Sequence, residues 1–134
     1  MSPPDERAIG RGIRLLATTF LAISIPIETA YSWRHGLVEP YYLAKMVGWV
    51  LLASGLTHLR RDRAVAGPGW LAAGWGWFGA NFWRAVADRL SRIGAGERLP
   101  LGSLELWFAG SCLLVSLIGL TWTLVAMRRR DHAR

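Results

Sequence analysis

The chain has 134 residues, 52% of them hydrophobic, with eight tryptophans and a formal net charge of +7. Its single cysteine, Cys112, excludes an internal disulfide and any cysteine-based metal cluster. A pI near 11.0 would suggest nucleic acid in a soluble protein, but no basic and aromatic residues interleave outside the apolar stretches, and nucleic acid is not expected as a partner.

Four apolar stretches follow in chain order. Residues 1–12 form a short tail containing proline and arginine. Leu15 to Trp33 carries one charge, Glu28, and no small-residue cleavage site follows it, so this segment is expected to remain as an anchor. Tyr41 to Leu59 carries Lys45 and His58, whereas Ala64 to Trp83 and Leu106 to Met127 carry no ionisable side chain other than Cys112. Gly67 and Pro68 mark the start of the third segment, and Gly94, Gly96 and Pro100 the turn before the fourth. A hydrocarbon core about 30 Å thick needs roughly 20 apolar residues in a helix. A soluble amphipathic helix would show a charge every turn or two on its wet face. The pattern predicts an all-α, polytopic four-helix membrane bundle with helices at about 13–34, 40–60, 67–91 and 101–127, one domain over 13–127, and a basic tail at 128–134. The connecting loops are too short to hold another domain.

Arginine placement orients the bundle. Arg7, Arg11 and Arg14, then Arg60, Arg61 and Arg63, and finally Arg128, Arg129 and Arg130 fall on one side of a four-pass topology. The positive-inside rule makes that side cytoplasmic, with both termini inside an inner membrane. Arg34, Arg89, Arg92 and Arg98 fall on the other side, so the bias is incomplete. Trp33, Tyr41 and Tyr42 are expected at the outer interface, and Trp122 and Arg128 near the inner one.

Residues three and four apart share a helix face. On the first helix Ala17, Leu21, Ser24, Glu28 and Tyr31 share one, with Phe20, Ile23 and Ile27 pointing elsewhere. On the second it is Tyr41, Lys45, Trp49, Leu52 and Leu56. The third carries Trp70, Gly74, Trp77, Asn81, Arg84 and Asp88 on one stripe, and the small residues Ala72, Gly76, Gly79 and Ala80 on a second, expected to pack against a neighbouring helix. Its third face, Leu71, Trp75, Phe78 and Phe82, is expected to meet lipid. The fourth helix has a seam of Glu105, Ala109, Cys112, Ser116, Gly119 and Thr123. Gly74, Gly76 and Gly79 spell a dinucleotide fingerprint, but without a preceding strand they read as helix packing.

In a four-pass arrangement Glu28, Lys45, Arg84, Asp88 and Glu105 converge in the outer half, bordered by Tyr31, His35, Tyr41, Tyr42 and Asn81. Three are acidic and two basic, leaving one negative charge. Glu28, Lys45 and Arg84 are expected as an interior network with Asp88 and Glu105 at its rim. The cluster is either a ligand, ion or proton site or a self-neutralising network that fixes helix register. His58, beside Arg60, reads as an interfacial histidine, because a haem site would need a second histidine at equal depth. No cofactor is expected. The functional expectation is a non-catalytic subunit or assembly partner of a membrane complex, in contact with lipid and with further copies or other membrane subunits. The alternatives are a small oligomeric transporter or channel, and an intramembrane enzyme using Glu28, Asp88 or Glu105 as acid or base. The enzyme lacks a nucleophile–base pair or metal-ligand spacing in its support.

Overall fold

The computed structural model describes residues 4–35, 40–60, 66–99 and 102–132, with side chains over 10–34, 42–59, 67–99 and 102–129. They form four helices: α1 (Pro4–His35), α2 (Pro40–Arg60), α3 (Ala66–Gly94) and α4 (Ser103–His132), with no strand among the described residues. The terminal helices overrun the apolar stretches. α1 begins at Pro4 rather than near residue 13, and α4 continues to His132 through arginines expected in a tail. Proline is suited to a helix start, and Arg128 and Arg129 favour the negative end of α4. α1 runs continuously through Pro26, whose missing N–H removes one intrahelical hydrogen bond.

α3 ends in a Schellman cap. Gly96 adopts φ 80°, its N–H bonds to Ile93 O at 2.9 Å, and the Glu97 N–H bonds back to Arg92 O at 2.9 Å. A left-handed residue at this position is what satisfies the last carbonyls of the helix. A second left-handed glycine, Gly102 at φ 61°, turns the chain into α4.

α3 packs extensively against α2 and α4, and α1 closes the ring with sparser contacts to those same two helices. The α2–α3 interface explains why these helices pair so closely. Both contain the pattern glycine, large residue, glycine, large residue, at spacings of four, three and four: Gly48, Leu52, Gly55 and Leu59 on α2, and Gly67, Leu71, Gly74 and Phe78 on α3. Run antiparallel, each glycine faces a large residue of the other helix. A Cβ placed on Gly74 would lie 2.7 Å from the Leu52 side chain, one on Gly55 2.7 Å from Leu71, one on Gly48 2.7 Å from Phe78, and one on Gly67 2.9 Å from Leu59. On the other side of α3, the Trp75 indole lies against Gly119 of α4. Phe20 of α1 completes the centre with edge-on contacts to Trp75 at 5.2 Å and Phe78 at 5.0 Å.

One expectation about α3 is therefore corrected, and a second finds no close neighbour among the described residues. Leu71, Trp75, Phe78 and Phe82, expected to meet lipid, are the buried core face. The proposed packing face is open instead: a Cβ on Gly76 would meet nothing within 4 Å, Gly79 only Ser116 at 4.0 Å, Ala72 is half-buried and Ala80 is exposed. Large side chains set into glycine notches fill more space than a face of small residues, so the bulky face goes inside. Phe20, expected off the stripe that carries Glu28, is likewise buried. The α4 seam does face inward, with Ala109, Ser116, Gly119 and Thr123 buried. Ser116 and Thr123 donate to Cys112 O at 2.8 Å and Gly119 O at 2.7 Å, so these hydroxyls are satisfied within their own helix.

Buried polar groups accompany the apolar core, and large apolar side chains stand outside it. Ser24, Glu28, Ser32, Ser116 and Thr123 are buried, while Trp33 is 75% exposed, Trp107 73% and Leu104 70%. Among the described residues, Gly10–Arg34 and Ser103–Arg129 are long and apolar enough to cross a membrane; α2 and α3 do not meet that criterion.

Candidate functional site

The C-terminal half of α1, the N-terminal half of α2, the C-terminal half of α3 and the first turns of α4 meet at one end of the bundle. They enclose a cavity of about 350 Å³ lined by Glu28, Tyr31, Lys45, Phe78, Asn81, Phe82, Arg84, Ala85, Asp88, Arg89, Arg92, Glu105, Phe108 and Ala109. All six residues of the sequence-derived cluster, Glu28, Lys45, Asn81, Arg84, Asp88 and Glu105, border this space. Their pairing differs from the expected network.

Glu28 is 4% exposed and Lys45 Nζ reaches across from α2 to its Oε2. The α1–α2 seam around this pair is closed by hydrogen bonds. Trp49 Nε1 donates to Ser24 Oγ at 3.1 Å, and Thr29 Oγ1 and the Tyr42 hydroxyl share a bond of 3.2 Å. Trp77 Nε1 ties α3 to the backbone carbonyl of Ala44. Asn81 turns its amide to Trp77 O at 2.8 Å, within its own helix.

Arg84 does not join the Glu28–Lys45 pair; among the described residues it has neither a hydrogen bond nor an ion pair. Asp88, one turn further along, has no ion pair within 4.0 Å among them either. Glu105 is met by Arg89, whose Nε lies 3.3 Å from Oε2 without being aligned for a hydrogen bond. Arg89 Nη1 also donates to Ala85 O at 3.0 Å. At the mouth, Arg92 Nε donates to Glu97 Oε2 at 2.9 Å, and that bond raises the Arg92 pKa above its ordinary value. The Schellman cap makes this contact, because it folds Glu97 back over Arg92. Of the residues expected to border the cluster, Tyr31 lines the cavity, Tyr42 braces the seam behind it, and the His35 and Tyr41 side chains lie outside the described residues.

Arg89 and Arg92 change the charge of the site. The lining holds four cations, Lys45, Arg84, Arg89 and Arg92, against three carboxylates, Glu28, Asp88 and Glu105. The expected surplus of one negative charge is thus a surplus of one positive charge. Counting Arg89 and Arg92 only as outer-side charges left them out of the cluster, although continuing the Asn81, Arg84, Asp88 stripe by four residues reaches Arg92.

A second concavity, of about 290 Å³, runs between residues 16–24 of α1 and 108–115 of α4. Its lining surface is apolar, and Phe108 lines both it and the charged cavity. At the opposite end of the bundle His58 stacks on Trp70 at 6.5 Å with an interplanar angle of 13°. No group of three or more His, Cys, Asp or Glu among the described residues is arranged to hold a metal ion. The Ser24 hydroxyl accepts from Trp49, and those of Ser116 and Thr123 donate to carbonyls of their own helix.

No protein-family model, curated protein or solved structure matches this chain.

Proposed function

We propose that this is a multi-pass inner-membrane protein with cytoplasmic termini. It acts as a non-catalytic subunit or assembly partner of a membrane complex and presents its charged cavity in the outer half of the bilayer. The observation that carries the proposal is the apolar exterior: Trp33, Trp107, Leu104, Leu15 and Val50 point outward, while a glutamate and four hydroxyl residues are buried beside the apolar core. In water so much contiguous apolar surface would drive association. In lipid it is solvated, and ionisable groups belong inside the bundle, paired with one another. The two apolar spans are only 28% and 22% buried, unlike the core helix of a soluble domain. Lys45 and Arg89 neutralise two of the three cavity carboxylates, which favours binding over acid–base chemistry.

Native-level expression of the tagged chain tests both parts. It should stay in the membrane pellet through alkaline carbonate extraction. From mild detergent it should co-purify with one membrane partner at fixed stoichiometry, a partner lost in Arg84→Gln protein of unchanged helicity. Release by carbonate overturns the membrane setting; a chain that purifies alone, or keeps its partner in the variant, overturns the role of the cavity. A second reading, an oligomeric transporter, is favoured by the unpaired Arg84 and Asp88 within an accessible charged cavity. Reconstituted vesicles showing solute or ion flux abolished by Arg84→Gln would replace the first reading with this one.

A further inference from the structure

The charged cavity and the apolar groove are usually separate kinds of site, but here one ring, that of Phe108, belongs to the walls of both. Resting on the membrane setting above, we propose that they form one binding site for a zwitterionic phospholipid bearing a primary amine. The headgroup lies in the cavity and one acyl chain lies along the α1–α4 groove.

Three features point to this occupant. The first is order along the bundle axis. Glu28 and Glu105 stand at the polar end, and the groove leads from there along α1 from Ser24 back to Leu16, and along α4 from Phe108 on to Val115. Eight residues of helix span about 12 Å, the length of the upper part of an acyl chain. In the proposed topology this direction runs from the outer headgroup level toward the bilayer centre, as the lipid of the outer leaflet does. The second is the match of lining to ligand: the groove wall is apolar and the cavity wall is not.

The third is charge. Once Lys45 is given to Glu28, Arg89 to Glu105 and Arg92 to Glu97, the lining charges without an ion pair within 4.0 Å are Arg84 and Asp88, one cation and one anion a helical turn apart, with Arg92 acting on Asp88 only at longer range. The lipid phosphate meets Arg84 as an ionic hydrogen-bond partner and the ammonium meets Asp88. A purely anionic headgroup would answer Arg84 and place a negative charge beside Asp88. A diacylglycerol would answer neither. α1 is the sparsely held helix of the ring, so a chain lying between α1 and α4 fills space where packing is poorest.

Cys112 lines the groove and is the only cysteine of the chain, so the rate at which a maleimide labels it reports occupancy. The full-length protein in mild detergent is titrated with phosphatidylethanolamine, phosphatidylglycerol or diacylglycerol, and lipids retained are counted by native mass spectrometry. Protection scales as one plus ligand over Kd, so at about ten times Kd phosphatidylethanolamine should slow labelling roughly tenfold. Phosphatidylglycerol and diacylglycerol should protect less at the same concentration. Arg84→Gln and Asp88→Asn should remove that preference. Phe108→Trp, which crowds the junction, should weaken protection by phosphatidylethanolamine, while Arg14→Gln, in the first turns of the opposite end, should change nothing. Equal protection by all three lipids, or a preference that survives Arg84→Gln, overturns the headgroup assignment. No protection by any lipid in folded protein overturns the site altogether, and cross-linking would then show whether a second copy covers the groove. Failure of the membrane setting is seen separately, in carbonate extraction.

Discussion

Glu28 and Lys45 illustrate how unequal the two ends of an ion pair are. The carboxylate is 6% exposed and the ammonium-bearing side chain 21%, so lysine retains a path toward the polar mouth while glutamate does not. Lys45→Met leaves a buried carboxylate without its partner and should cost about 3–5 kcal/mol in detergent-solubilised protein. Glu28→Gln should cost less, since Lys45 can turn outward. The double variant should cost less than the sum of the two, and thermal unfolding of all four proteins measures that coupling. Strict additivity would mean the pair contributes nothing as a pair. Gly96 is a second residue with a definite role. Its φ of 80° is strained for any residue with a Cβ, and Gly96→Ala should cost about 1 kcal/mol and loosen Glu97 from Arg92. The same unfolding measurement reads the stability cost.

At the level of elements, the interlock of α2 and α3 makes a contrast that separates the two candidate packing faces. Gly74 accepts Leu52, and Gly76, two residues on, faces open space. Gly74→Leu should prevent the helices from closing, whereas Gly76→Ala should be tolerated or slightly stabilising, alanine being the better helix former by about 1 kcal/mol. Leu71→Ala removes a core side chain that is 1% exposed and should cost about 2–5 kcal/mol. Yield of folded protein and unfolding midpoints check the series; equal tolerance of Gly74→Leu and Gly76→Ala would place the α2–α3 contact elsewhere. The pattern behind this interface is present in the sequence as two copies of the same alternation of glycine and large residues. It becomes meaningful only when one copy is set antiparallel to the other, because a glycine is a notch only if something fills it.

For the whole molecule, the proposed topology places Trp33 at the outer headgroup level and Trp122 toward the inner one, and both are accessible from outside the bundle. Lipids with quenchers at defined depths should quench Trp33 from the outer interface and Trp122 from the inner, read in variants whose other seven tryptophans are replaced by phenylalanine. Reporters fused after Arg134 and near Arg61 should both face the cytoplasm. A periplasmic signal from either would invert the bundle and move the charged cavity to the cytoplasmic half.

The linear sequence by itself determined the number of helices, their approximate extents and the charged residues that would gather at one end, because charge-free stretches and helical periodicity are local properties. Glu28, Lys45, Arg84, Asp88 and Glu105 were legible because each interrupts or borders an apolar run. Periodicity divides α3 into faces, yet it does not say which face is inward. Hydrophobicity cannot choose either, since Trp70, Trp77 and Trp83 stand on the exposed faces of α3. That choice rests on shape, on Leu52 filling the notch at Gly74 and Trp75 lying on Gly119, and shape complementarity exists only between helices already placed side by side. The sign of the cavity was decided in the same way. Arg89 enters its wall from the last turns of α3, and Arg92 joins it because α3 continues as far as Gly94 before the cap at Gly96 turns the chain, so the end of one helix decides the charge of a site built by four.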